Sequence, residues 1–100
     1  MEHHTPTNLS VGAWQLARVY ALAGLPERAR HYGQQSLDLA RDNDLGPFYV
    51  GYGFEALARA EAGAGNDDLK KRYTEAARRE AADVGSEEYR KPLLDDLATI

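Results

Sequence analysis

GAWQLAR at residues 12–18 returns as GFEALAR at residues 53–59, 41 residues later. The correspondence continues in the same register and pairs Gly24 with Gly65. Self-similarity at a fixed period of this length is typical of stacked helical arrays, in which each unit covers a hydrophobic face of its neighbour. The repeat therefore predicts an all-α fold built from similar helical units.

The composition is that of one small helical domain. The chain has 100 residues, of which 43% are hydrophobic, and most of these are alanine and leucine, which favour helices over strands. The absence of cysteine excludes disulfide bonds and thiolate metal sites. The formal net charge of -4 disfavours nucleic acid as a partner, because phosphate backbones are bound by clustered lysine and arginine. We expect residues 8–100 to form a single domain, preceded by a flexible tail at residues 1–7.

The sequence predicts no membrane partner. No apolar stretch approaches the roughly 20 residues that a membrane-spanning helix needs, and residues 1–7 lack the apolar centre of a signal peptide. We therefore expect a cytoplasmic protein.

Turn-forming residues divide the chain into five predicted helices. Gly24 is placed to end the first helix in a left-handed conformation, and Pro26 suits the first turn of the second. The fifth helix follows Ser86, and Pro92 either kinks it or starts it. The first four helices are predicted to cover about residues 8–23, 26–42, 47–63 and 67–84.

Residues 48–54 are ambiguous between helix and strand. Their aromatic, β-branched and glycine residues favour a strand when the segment is taken alone, and each glycine inside a helix costs about 1 kcal/mol relative to alanine. The repeat aligns residues 52–54 with residues 11–13 of the first helix. It therefore predicts a helix, in which the glycines would mark close packing or the close approach of a ligand.

Apolar residues recur at helical spacing and predict the buried faces. In the second helix, small residues on that face would let paired helices approach closely. The predicted faces are Leu9, Ala13, Leu16, Ala17 and Tyr20 in the first helix, Ala29, Tyr32, Gly33, Ser36, Leu37 and Ala40 in the second, Leu69, Tyr73, Ala76, Ala77 and Ala81 in the fourth, and Tyr89, Leu93, Leu94, Leu97 and Ile100 in the fifth.

Apolar and small residues recur at matching places in two units: Leu16, Ala17, Tyr20, Gly24 and Ala29 in the first, and Leu57, Ala58, Gly65 and Ala76 in the second. Two tandem helix pairs with this pattern, over residues 9–84, resemble tetratricopeptide repeats. The period exceeds the usual ~34 residues and looks like that of the longer variants found in bacterial regulators and multi-repeat scaffolds. The ending DDLATI at residues 95–100 looks like the C-terminus of short bacterial repeat proteins. Glu61 stands where the first unit has the aromatic Tyr20.

The resemblance implies a right-handed αα-superhelix of two helix pairs, with the fifth helix as a C-terminal cap. In such repeats the first helix of each pair lines a concave face, on which peptides lie. The groove residues that the resemblance implies are Trp14, Arg18, Tyr52, Glu55 and Arg59.

Each of these residues allows a binding and a structural interpretation. Trp14 is a candidate anchor, because large aromatic residues often carry binding energy; the alternative is packing under the N-terminal segment. Arg18 and Arg59 hold equivalent places, so an anionic ligand group between them would relieve their repulsion. The alternative for Arg59 is an ion pair with Glu55, four residues earlier, whereas Arg18 has no acid at that spacing.

Phe48 and Tyr49 are candidates for an interface. If the rings of this aromatic run stay outside the core, they form an apolar surface that suits a second subunit or an apolar ligand. Core packing is the expected role of Phe54.

The sequence contains no recognisable catalytic or metal-binding pattern, and we expect neither enzymatic activity nor a metal or cofactor. In an enzyme, His31 or Glu61 would be the titrating group. Helix capping and solvation explain the paired acids Asp67-Asp68, Glu87-Glu88 and Asp95-Asp96.

The sequence thus predicts a non-catalytic module that binds a protein or peptide in its groove. The open ends of a two-repeat stack also favour a homodimer. The alternative is a sensor of a small anionic and apolar molecule, enclosed by Trp14, Tyr52 and the two arginines.

Overall fold

The computed structural model describes residues 4–100 and contains five helices: α1 (Pro6–Leu22), α2 (Pro26–Asp42), α3 (Pro47–Ala64), α4 (Asp67–Ala82) and α5 (Glu87–Leu97). No strand occurs within these residues, so the predicted all-α class is confirmed and residues 48–54 are helical. Of the predicted tail, residues 1–3 lie outside the described part of the chain, and Pro6 and Thr7 already belong to α1.

The helix ends follow from capping and turn residues. The Thr5 hydroxyl accepts a 3.1 Å hydrogen bond from the Asn8 amide, which starts α1 two residues before its predicted beginning. Gly24 and Gly65 have φ of 77° and 78°, the left-handed conformation that a helix end requires. Pro92 lies inside α5 and does not start it.

Consecutive helices pack against each other along the chain, and α3 lies at the centre. It contacts α1, α2, α4 and α5. Nearly every residue from Gly51 to Glu61 is buried, as expected for a helix surrounded by others. Within residues 4–100 the backbones of α1 and α5 each lie close to that of α3 but not to each other, which places these three helices side by side, with α2 and α4 packed behind them.

Glycines allow α2 and α3 to approach closely. A Cβ atom on Gly53 would lie 2.7 Å from the Cα of Leu37, and one on Gly33 would lie 3.2 Å from the backbone nitrogen of Leu57. These contacts confirm close packing as the role of Gly53. The order of the facing residues shows that the two helices run antiparallel.

The predicted buried face is correct for α2 and partly wrong for α1. Ala13 and Ala17 are buried, but Leu9 and Leu16 are 43% and 42% exposed. Leu57, the counterpart of Leu16 in the repeat, is 1% exposed. The difference arises because α3 lies between α2 and α4, whereas no helix within residues 4–100 covers the outer side of α1.

Three further apolar residues predicted to be buried are exposed, because the helices that carry them are covered along narrow faces only. Ala77 and Ala81 form the buried face of α4, and Leu93 and Leu97 form that of α5. The exposed residues are Leu69, Tyr89 and Leu94. Within residues 4–100, no helix combines the length and the apolar character needed to cross a membrane.

Candidate functional site

The predicted groove residues lie on neighbouring faces of α1 and α3. Trp14 and Arg18 are one turn apart on α1, and Tyr52, Glu55 and Arg59 follow one face of α3 at spacings of three and four. The end of α5 lies against both helices, through contacts of Asp96 in its last turn and of Thr99, two residues beyond it. We call the surface formed by α1, α3 and α5 the wall.

Asp96 lies at the centre of the wall. Its carboxylate accepts a 2.6 Å hydrogen bond from the Tyr52 hydroxyl and a 3.4 Å bond from Nη1 of Arg18. Nη2 of Arg59 donates to its backbone carbonyl at 3.1 Å. The anion beside Arg18 therefore belongs to the chain itself, whereas Arg59 contacts Asp96 through its uncharged backbone carbonyl. The prediction that solvation explains Asp95-Asp96 is wrong for Asp96.

Arg59 joins α3 to the end of α5. Its Nε donates to Oε1 of Glu55 at 2.7 Å, so the predicted ion pair between these residues is present. Its Nη2 also donates to the Thr99 hydroxyl at 2.9 Å and is a further donor to the Asp96 carbonyl, which accepts from the amide and the hydroxyl of Thr99 as well. Burial raises the pKa of Glu55 and outweighs the opposing effect of Arg59.

Five aromatic residues from α1, α3 and α5 contact one another beside this network. Trp14 stacks on Tyr52, with ring centroids 4.3 Å apart and an angle of 15° between the planes. Phe48 meets Tyr52 and Tyr89 edge to face at 5.2 and 5.3 Å, and Tyr49 lies 6.3 Å from Trp14. Burial and the hydrogen bond to Asp96 raise the pKa of Tyr52. We call these five residues the aromatic cluster.

A groove of about 390 Å³ opens beside the aromatic cluster, between the start of α3 and the turn that joins α4 to α5. Its volume lies within the range of small-molecule sites and accommodates a large side chain of a peptide. Its apolar lining consists of Leu45, Pro47, Phe48, Tyr49, Val84 and Tyr89, and we call it the aromatic groove. The predicted interface residues Phe48 and Tyr49 thus line an open groove, while Phe54 lies in the core as expected.

The two residues considered for catalysis have other surroundings. Glu61 is buried and accepts two hydrogen bonds from Arg30, at 2.7 and 2.9 Å, and one from Asn66 at 2.8 Å. These bonds, led by that of Arg30, lower the pKa of Glu61. His31 is exposed and meets the ring of Tyr32 edge to face.

Sequence reasoning missed Asp96, Thr99 and Tyr89 as residues of the site. Asp96 and Thr99 meet partners 37 to 78 positions away, and no local spacing signals such contacts. The position of Tyr89 could have predicted its role, because an aromatic residue in the first turn of the last helix can contact the start of another helix.

Potential metal ligands do not cluster anywhere within residues 4–100, since no group of three or more His, Asp or Glu side chains is suitably placed. No protein-family model, no curated protein and no solved structure matches the chain.

Proposed function

We propose that this protein is a non-catalytic binding module that takes a peptide segment of a partner protein on the wall. An apolar side chain of the peptide enters the aromatic groove, and a neighbouring carboxylate binds Arg18. The observation that supports this proposal most directly is the open groove beside a cluster of five aromatic residues, because rigid aromatic residues around a pocket are typical binding anchors.

The exposed guanidinium of Arg18 supports an acidic residue in the peptide. Arg18 lies one turn from Trp14, and Trp14 contacts the groove residues Phe48 and Tyr49. The Arg18 side chain is 44% exposed and its bond to Asp96 is long, at 3.4 Å, so donors of its guanidinium face solvent. Arg59, which is held by Glu55, Asp96 and Thr99, supports α5 and does not contact the peptide.

We also infer a tetratricopeptide-like arrangement, a right-handed αα-superhelix with α5 as its cap. The 41-residue repeat, the antiparallel packing of consecutive helices and the placement of α1, α3 and α5 side by side support this inference. An experimental structure in which the two hairpins are related by a left-handed rotation would contradict it.

Selection of peptides from a random library tests the function. We expect the full chain to enrich peptides with an aromatic or aliphatic residue close to an acid. Tyr49→Ala should weaken the selected peptides at least tenfold, roughly 1.4 kcal/mol, and Arg18→Ala several-fold. The matched control Arg78→Ala, on exposed α4 surface, should leave their affinity unchanged.

Two results would count against a peptide partner. One is enriched peptides whose affinity is insensitive to both Tyr49→Ala and Arg18→Ala. The other is the enrichment of no peptide, together with a thermal-shift screen in which a small anionic apolar molecule raises the melting temperature. That combination would favour a small-molecule sensor.

A further inference from the structure

The outer side of α1 carries an exposed apolar stripe. Leu9, Gly12, Leu16 and Val19 follow one another at spacings of three, four and three, which places them on one helix face. Leu9 and Leu16 are 43% and 42% exposed, and Val19 is 59% exposed. A Cβ atom on Gly12 would meet no other atom of the described part of the chain within 4 Å. We call these four residues the outer stripe. Leu22 and Leu25, also exposed, lie near its end.

The same face is covered in the second unit of the repeat. The counterparts of the outer stripe, 41 residues later, are Val50, Gly53, Leu57 and Ala60. The last three are buried, and Gly53 and Leu57 pack directly against α2. The repeat therefore indicates what kind of structure covers this face, namely an antiparallel helix at close approach.

The crossing of α2 and α3 is reciprocal. Gly53 of α3 faces Leu37 of α2, and Gly33 of α2 faces Leu57 of α3. In each helix the leucine follows the glycine by four residues, so the two helices present the same motif to each other in opposite directions. A motif that packs against a reversed copy of itself suits a two-fold axis.

The outer stripe contains this motif a third time, as Gly12 and Leu16. We propose that it is the interface of a homodimer, in which α1 packs antiparallel on α1 of a second copy. Gly12 then faces the partner subunit's Leu16, and Leu9 faces the partner subunit's Val19. The residue numbers of each facing pair average to 14. One antiparallel register therefore pairs all four residues of the outer stripe with residues of the partner's stripe. This interface does not depend on the proposed peptide site.

Charge and area fit a second copy. α1 contains no acid, and its one charged residue, Arg18, is bound to Asp96 on the wall, so two α1 helices bring no like charges to the crossing. Interfaces of standard size bury about 800 Å² on each partner. A single helix face offers less, which fits a weak, reversible dimer.

Sedimentation equilibrium of the full chain over a range of concentrations tests the dimer. Leu16→Glu should raise its dissociation constant at least tenfold, because two buried carboxylates would meet the partner's apolar stripe. The matched control Leu94→Glu changes a leucine of similar exposure, 41%, on α5 and should leave the dissociation constant unchanged. A wild-type chain that stays monomeric up to about 1 mM, or equal effects of both variants, would overturn the proposal.

The variant Gly12→Ala distinguishes an effect on dimerisation from an effect on folding. In the monomer the added methyl group meets open space, so the melting temperature at low concentration should rise through better helix propensity. In the dimer the same methyl group holds the helices apart and should raise the dissociation constant severalfold. If Gly12→Ala leaves dimerisation unchanged or strengthens it, the close crossing is excluded.

Cross-linking tests the register. The chain has no cysteine, so any disulfide must form between the introduced cysteines. A mixture of Leu9→Cys and Val19→Cys chains should form the mixed disulfide in preference to either symmetric one, whereas Leu94→Cys chains should cross-link slowly. A preference for either symmetric disulfide over the mixed one would overturn the antiparallel register.

Discussion

The hydroxyl of Tyr52 donates a 2.6 Å hydrogen bond to Oδ2 of Asp96, and this bond joins the central helix to the last turn of α5. Tyr52 also stacks on Trp14 of α1. One side chain thus connects three helices of the wall. Because the acceptor is a carboxylate, the bond belongs to the stronger, charge-assisted class.

Tyr52→Phe removes this bond and retains the ring. We expect a loss of about 1–2 kcal/mol in the free energy of unfolding, since Asp96 keeps only its long bond to Arg18. Urea denaturation measures the change. Tyr89→Phe, at an exposed tyrosine of the same aromatic cluster, serves as the control and should change stability by less than about 0.5 kcal/mol. Equal losses in both variants would show that the bond to Asp96 has no special weight.

Gly53→Ala introduces a methyl group against the backbone of Leu37. The nearest atoms are the Cα, the Cβ and the backbone nitrogen of Leu37, none of which can rotate away, so the helices must separate, and we expect a loss of about 1–3 kcal/mol despite the better helix propensity of alanine. Gly63→Ala lies in the same helix, where the nearest atom is 3.9 Å away, and should stabilise the fold by about 0.5–1 kcal/mol. Thermal unfolding of the two variants should shift in opposite directions, and a gain for Gly53→Ala would contradict the close crossing.

Glu61→Gln should destabilise the protein at neutral pH by about 2 kcal/mol. Loss of one member of a buried ion pair costs more than this, but the side chain of Arg30 is 41% exposed, and water compensates part of the loss. The folded-state pKa of Glu61 is lowered. The stabilising contribution of ionised Glu61 is therefore present above the unfolded-state pKa of about 4.3. It disappears as the pH falls through the folded-state pKa.

The difference in the free energy of unfolding between wild type and Glu61→Gln should accordingly become smaller below about pH 4. Glu55→Gln is the matched control on the same helix. Burial raises the pKa of Glu55, so its ionisation lowers stability as the pH rises, and the loss of stability caused by Glu55→Gln should be no larger at pH 7 than at pH 3.5. Urea denaturation at pH 3.5 and pH 7 measures both variants. A larger loss of stability for Glu55→Gln at pH 7 than at pH 3.5 would contradict the raised pKa of Glu55.

Arg59→Ala should open the end of α5. Without its guanidinium, the Asp96 carbonyl and the Thr99 hydroxyl lose a shared donor. We expect the amides of Thr99 and Ile100 to exchange with solvent at least tenfold faster in hydrogen-exchange experiments. Lys91→Ala removes an exposed ion pair with Asp95 and should change these rates little. Unchanged exchange in Arg59→Ala would show that other contacts hold this turn.

The repeat predicted the helices well because helix formation depends on local spacing. It resolved residues 48–54, where propensity alone favours a strand, since Gly53 has a counterpart in a plainly helical segment. It also brought Arg18 and Arg59 to one wall. These predictions needed only the order of residues within a unit and the stacking of one unit on the next.

Contacts between distant residues could not be predicted in this way. Leu16 and Leu57 occupy the same position in the pattern, yet one is exposed and the other buried, because a pattern specifies a face and does not show whether a neighbour covers it. In the sequence, Asp96 cannot be distinguished from a solvated acid, because its partners on α1 and α3 contact it only when α5 packs on the wall. Its role depends on the docking of a whole helix, which local sequence does not encode.

The position of Asp96 has a consequence for the order of events in folding. Its bonds to Tyr52 and Arg18 close loops of 44 and 78 residues, whereas the helices before α5 pack on their immediate neighbours. Long loops close more slowly and at a higher entropic cost, and α5 buries only Leu93 and Leu97. We therefore expect α5 to dock last and to undock first, so that the aromatic groove exists only during the fraction of time that α5 is in place.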